Sequence, residues 1–153
     1  MTYSKGLHTY NLTDKSGRPV VWNRFTQYKK GIFDKERSQK FIVYIYKLLD
    51  QKAGRNQWII VGDGQDVVGE NVNVQLIYQV SDILEKHYPS ALWRGLGLDL
   101  PTFFVDIIVE VLKYMSPAIR ETVSLITSSQ LPDYLNMKDT PSYKMKNLIT
   151  PKP

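Results

Sequence analysis

The sequence contains no cysteine. A disulfide framework and a thiolate zinc site are therefore both excluded. Its two histidines, His8 and His87, are too few for a histidine metal cluster. No metal and no cofactor is expected. Long apolar runs are lacking as well. The longest, Phe103 to Met115, is interrupted by Asp106, Glu110 and Lys113. As a helix it would span roughly 20 Å, short of a bilayer core of about 30 Å. Met1 to Asn11 is polar and lacks the apolar centre of a secretory signal. These absences predict a cytoplasmic protein.

Catalytic and nucleotide motifs are missing too. Gly62-Asp63-Gly64 sits between a strand and a helix, but Gly69 is too far on to complete G-x-G-x-x-G. There is no Gly-Lys-Ser/Thr phosphate loop. That Gly-Asp-Gly reads as a tight turn needing glycine conformations. Ser81, Ser90, Ser124, Ser128 and Ser129 lack the G-x-S-x-G context of a nucleophile. His87 falls at a helix end, where it can face the last carbonyls. Asp63 and Asp66 read as turn-stabilising or capping residues. No enzymatic activity is expected.

The 153 residues suit one domain, with a core from about 7 to 131 and a polar loop and tail over 132–153. The formal net charge is +5. That excess suits anionic partners, and a solvated basic surface explains it equally well. Lys29, Lys30, Lys35, Arg37 and Lys40 cluster around a loop and a helix start, as a contact for an anionic membrane would. Aromatics are not interleaved with the basic residues at the spacing of a nucleic-acid-binding module, which ranks nucleic acid below a membrane surface.

Periodicity supplies the elements. Leu7 to Leu12 alternates like a strand, Asp14-Lys15-Ser16-Gly17 is a turn, and Arg18 to Arg24 resumes as a strand, so the two form a hairpin. Lys35 to Lys52 carries Phe41, Ile42, Ile45, Leu48 and Leu49 at helical spacing. Trp58-Ile59-Ile60-Val61 reads as a central strand buried on both faces. Asn71 or Asn73 caps a helix running to about Tyr88, where Pro89 stops it. Leu92 to Leu100 is a strand, Pro101 starts a helix to Met115, and Thr122 to Ile126 is a further strand. Strands alternating with helices imply crossovers and a mainly parallel sheet.

These pieces, in this order, resemble the CRAL-TRIO family of lipid-binding domains. Asp14 to Val20 is similar to that family's opening hairpin, and Ile59 to Gly69 to its central strand and Asp–Gly turn. His87-Tyr88-Pro89 is similar to the end of its long helix, and Leu98 to Phe104 to the start of its lid helix. Ser128-Ser129 matches a small-residue pair after its last strand. The subgroup that appends a major-sperm-protein domain is the nearest in kind. Two departures stand out. The family's helical bundle ahead of the first strand is expected to be missing here. Its Leu-Pro…Gly-Gly near the end is replaced by Thr140-Pro141 followed by Met145-Lys146.

The resemblance implies an α/β domain whose sheet is the floor of a lipid pocket and whose helix 102–115 is a lid. It implies capture of a hydrophobic lipid-like ligand and transient contact with a membrane. Without ligand exchange, the alternative is a tethering or interaction module with a protein partner. Pocket-lining candidates are Trp22, Ile60, Gly62, Phe103, Phe104, Ile107, Ile108 and Val111. Candidates for membrane contact are Lys29, Lys30, Phe103 and Phe104. At the places where phosphatidylinositol-binding members carry an acid, a Thr and a Lys, this chain has Ser90, Ile119 and Thr122. Phosphatidylinositol is thus disfavoured, and a sterol-like, isoprenoid or acyl ligand is at least as plausible.

Overall fold

The structure is a computed structural model that describes residues 12–27, 35–141 and 143–144. Most of the predicted first strand, together with Lys29 and Lys30, lies outside the described residues. Five strands form one sheet in chain order: β1 (Leu12–Thr13), β2 (Pro19–Arg24), β3 (Trp58–Asp63), β4 (Leu92–Leu98) and β5 (Val123–Ile126). β1 pairs antiparallel with β2, and the other neighbours pair parallel. The turn between β1 and β2 is held by Asp14, which accepts from the amides of Ser16 and Arg18.

Each parallel step needs a crossover. α1 (Lys35–Ala53) links β2 to β3, and α2 (Val74–His87) links β3 to β4. α3 (Thr102–Leu112) and the short α4 (Pro117–Arg120) link β4 to β5. Strand order equals chain order, so crossovers of one hand place all these helices on one face of the sheet. Asn73 caps α2 by accepting from the Leu76 amide at 3.1 Å. Ser116 caps α4, and Pro101 precedes α3 at its N-cap.

Two apolar layers follow from strand alternation. On the helix side, Val21, Trp58 and Leu92 pack with Ile42, Ile45, Tyr46 and Leu49 of α1 and with Leu76, Ile83 and Leu84 of α2. On the other side, Val20, Trp22, Ile59, Val61, Leu96, Leu98 and Ile126 pack under Leu131 and Leu135. The described residues after Pro132, up to Lys144, are therefore packed into the domain: Leu135, Thr140 and Lys144 are buried. Their side chains cover the sheet's second face.

Candidate functional site

Between the sheet and its helices lies a chamber of about 180 Å³. Its floor is the helix-facing parity of four strands: Val21 and Asn23, Ile60 and Gly62, Gly95 and Gly97, Val123 and Leu125. Its walls come from Ile42, Ile45 and Tyr46 of α1 and from Leu76, Ile77, Val80, Ser81 and Leu84 of α2. Phe104 and Ile108 of α3, with Phe25, Leu100, Met115 and Ile119, complete the lining.

Glycines thin the floor, and at two of them a neighbouring side chain fills the room a Cβ would take. A Cβ on Gly62 would lie 2.6 Å from the Phe25 ring, and one on Gly97 2.7 Å from Leu125 Cδ2. Neither residue has positive φ; the left-handed glycines are Gly17 and Gly54. The expected reason for Gly62-Asp63-Gly64, a tight turn, is thus corrected. Gly62 belongs to β3, and what it permits is close approach of Phe25. Gly64 makes the same allowance for Leu100, whose Cδ2 would stand 2.4 Å from a Cβ there.

Two aromatics of the lining meet each other. Phe25, just after β2, meets Phe104 of α3 edge-on at 5.1 Å between ring centroids. Phe104 is buried, while Phe103 beside it is 41 % exposed. A helix places adjacent residues about a quarter-turn apart or more, so the two cannot share a face.

The sequence candidates separate accordingly. Ile60, Gly62, Phe104 and Ile108 line the chamber. Trp22 does not: it points to the opposite face of the sheet, where its indole N–H donates to the Tyr143 hydroxyl at 2.7 Å. β2 is apolar on both faces, so its composition does not tell the faces apart, and Val21 and Asn23 hold the inward positions. Phe103 faces outward, not into the chamber. Ile107 packs with Phe104, Val67 and Val72, and Val111 is buried, both away from the lining. Phe104, in turn, is buried and not available for membrane contact as the chamber stands. Of the three headgroup places, only Ile119 lines the chamber. Ser90 is exposed in the turn before β4, and its carbonyl accepts from Gln57. The Thr122 hydroxyl is spent locally, donating to the Ile119 carbonyl at 2.6 Å.

A polar cluster closes the far side of the sheet. Lys144 is fully buried and its ammonium donates to Asp63 at 3.1 Å, Asp99 at 2.6 Å and Gln65 at 2.7 Å. Tyr143 donates to the other Asp63 oxygen at 2.6 Å, under the Arg24 guanidinium, which lies 4.0 Å from its ring centre. Asp99 also accepts from the Ser128 amide and hydroxyl. Burial raises the Asp99 carboxyl, but hydrogen bonds from Lys144 and Ser128 outweigh it and hold the group below the ordinary carboxylate range. Burial, and the Asp63 carboxylate it donates to, push the Tyr143 hydroxyl far above the usual phenol range. Asp63, expected to stabilise a turn, is therefore the buried anchor of the C-terminal segment, although it also accepts from the Gln65 amide.

Among the described residues, no group of three or more His, Cys, Asp or Glu could hold a metal ion, and no helix is long and apolar enough to cross a membrane. The family model of the CRAL/TRIO domain matches residues 3–144. No curated protein sequence matches the chain. Among solved structures, the crystal structure of Sfh5 is similar, with a TM-score of 0.62 and 20% identity over 84% of this chain. The likeness covers 50% of that chain, so the present sequence spans about half of its length. At this identity the likeness is one of fold. The match to the family covers nearly the whole sequence, and the chain belongs to the CRAL/TRIO domain family.

Proposed function

We propose that this domain binds a hydrophobic small molecule in the chamber between sheet and helices and carries or senses it without chemical change. The observation that supports this best is an apolar chamber of about 180 Å³ between sheet and helices, with no side chain on its floor at Gly95. Membership of the CRAL/TRIO family supports the same reading. An apolar ligand gains about 0.8 kcal/mol per buried CH₂, so a chain of modest length is held without covalent bonding.

A chamber of about 180 Å³ is smaller than this role needs at full occupancy. Ligand pockets usually run to about 300–1,000 Å³. Loading therefore requires α3 to move outward, taking Phe104 off Phe25. Phe103, Val109 and Tyr114, exposed at 41%, 45% and 73%, would meet the membrane surface as it does so. Peripheral residence at cytoplasmic membranes is part of this proposal. So is the placement beside major-sperm-protein-containing relatives, which rests on the sequence resemblance alone.

Phosphatidylinositol is not the preferred ligand under this reading. Ser90, Ile119 and Thr122 offer no charged partner, and none of the described residues lining the chamber is Asp, Glu, Lys or Arg. The same small volume favours a second reading, a tethering module that keeps the fold and has lost exchange. Solvent extraction of the purified protein, followed by mass analysis of the extract, separates the two. A lipid-like species near one per chain supports the carrier; an extract free of such species supports the tether.

A further inference from the structure

The chamber floor holds, among the described residues, one buried side-chain atom without a hydrogen-bond partner. Among the described residues, four buried side-chain atoms have no hydrogen-bond partner: Asn23 Oδ1, Trp58 Nε1, Gln79 Oε1 and Thr140 Oγ1. Of these residues, Asn23 is the one that lines the chamber. Its place is fixed by the sheet. It shares the inward parity of Val21 and pairs in register with Gly62, which has no side chain to screen it. A buried carbonyl oxygen left without a donor bears its full desolvation penalty, so native structures rarely keep one.

We propose that Asn23 is the polar recognition point of the chamber and that it selects a neutral ligand carrying a hydroxyl on an apolar body. The inference rests on the chamber being a ligand site. The orphan atom is an acceptor, so the ligand must bring a donor. A hydrocarbon, an ether or an ester has none, and a carboxylate brings only acceptors and a charge. The lining offers no basic side chain to meet that charge, which makes burying it costly. An alcohol satisfies both conditions: its O–H donates to Asn23 Oδ1, and its body meets Ile60, Leu76, Ile77 and Ile108. Two other polar side chains of the lining, Asn71 and Asn73, are already engaged. Asn71 accepts from the Val68 amide and donates to the Thr26 carbonyl, and Asn73 caps α2.

The test uses three probes of one shape: butylbenzene, its alcohol counterpart phenylpropanol and its acid counterpart phenylpropanoate. Each is titrated calorimetrically into the native chain and into Asn23→Leu. The ratio of alcohol to hydrocarbon affinity is compared between the two proteins, so that the probes' different solubilities cancel. A neutral hydrogen bond predicts that this ratio falls about tenfold in Asn23→Leu. Hydrocarbon binding should hold or improve. Removing an orphan polar atom should leave the ligand-free fold intact; should Leu prove too large, Asn23→Ala carries the same comparison. An unchanged ratio, or preference of the native chain for the acid, overturns the assignment of Asn23 and leaves the chamber as a ligand site. Failure of all three probes to bind the native chain overturns the ligand site itself, and the role of Asn23 with it.

Discussion

Lys144 is fully buried, so its charge is met by side chains rather than by bulk solvent. It sits at the far side of the sheet with two carboxylates and a glutamine amide oxygen within hydrogen-bond distance. Two of these groups, Asp63 and Asp99, end β3 and follow β4, so one ammonium ties the strand ends to the C-terminal segment. Such a cluster adds little against an apolar equivalent, but breaking it strands a buried charge. Lys144→Met is expected to lower stability by about 3–5 kcal/mol, read by urea unfolding. The acid side is predicted by Asp99. Its folded carboxyl lies below the ordinary range, so its stabilisation is present above the unfolded value of about 3.9 and is lost as pH falls through the lower folded value. The melting temperature should therefore drop below about pH 4 more steeply in the native chain than in Asp99→Asn. An equal slope in both would remove Asp99 from the acid transition. None of this was legible beforehand. Asp63 and Lys144 are far apart in the sequence, and a lysine in a polar stretch reads as solvated. Only the fold brings it under β3.

At the scale of elements, α3 carries two different aromatic neighbours. Phe104 packs on Phe25 and is buried; Phe103 is open to solvent. Phe104→Asp buries an unpaired charge and should unfold the domain or cost more than about 4 kcal/mol in a thermal melt. Phe103→Asp should stay within about 0.5 kcal/mol of the native stability while reducing co-sedimentation with liposomes. Membrane binding unaffected by Phe103→Asp would contradict a role for this face. The element boundaries themselves were largely legible. Asn73 and Pro89 bracket α2 as capping and stop signals predict, and Trp58–Asp63 is the middle strand of five. Facing was less legible. In Pro19–Arg24 four consecutive residues are buried, so alternation disappears and Trp22 cannot be told from Val21 by its neighbours. The aromatic pair at the start of α3 is ambiguous for the same reason. Phe25 follows β2 in a short 3-10 turn and carries no periodic signal, yet it lines the chamber over Gly62.

For the whole molecule, a mostly parallel sheet is covered on one face by helices and on the other by the described residues between Thr127 and Lys144. The two faces perform different tasks. The lower layer, with Trp22, Leu98, Leu131 and the Lys144 cluster, is closed and fixed. The upper layer leaves a chamber that no bulky floor residue fills. Vesicle assays should find no selective transfer of phosphatidylinositol, because the lining among the described residues carries no charge. Selective transfer would mean that the headgroup is met elsewhere.

The central claim is that the chamber is where the ligand sits, and Gly95 allows it to be tested directly. A Cβ there would meet Val123 Cγ2 at 3.6 Å and Leu92 Cδ2 at 3.8 Å, which is ordinary contact, so Gly95→Ile should fold and project its branches into the chamber. Native mass spectrometry of both proteins, purified in parallel, is the decisive measurement. The account predicts a hydrophobic adduct on the native chain and its loss from folded Gly95→Ile. An adduct retained equally by both proteins, or absent from the native chain, would contradict it.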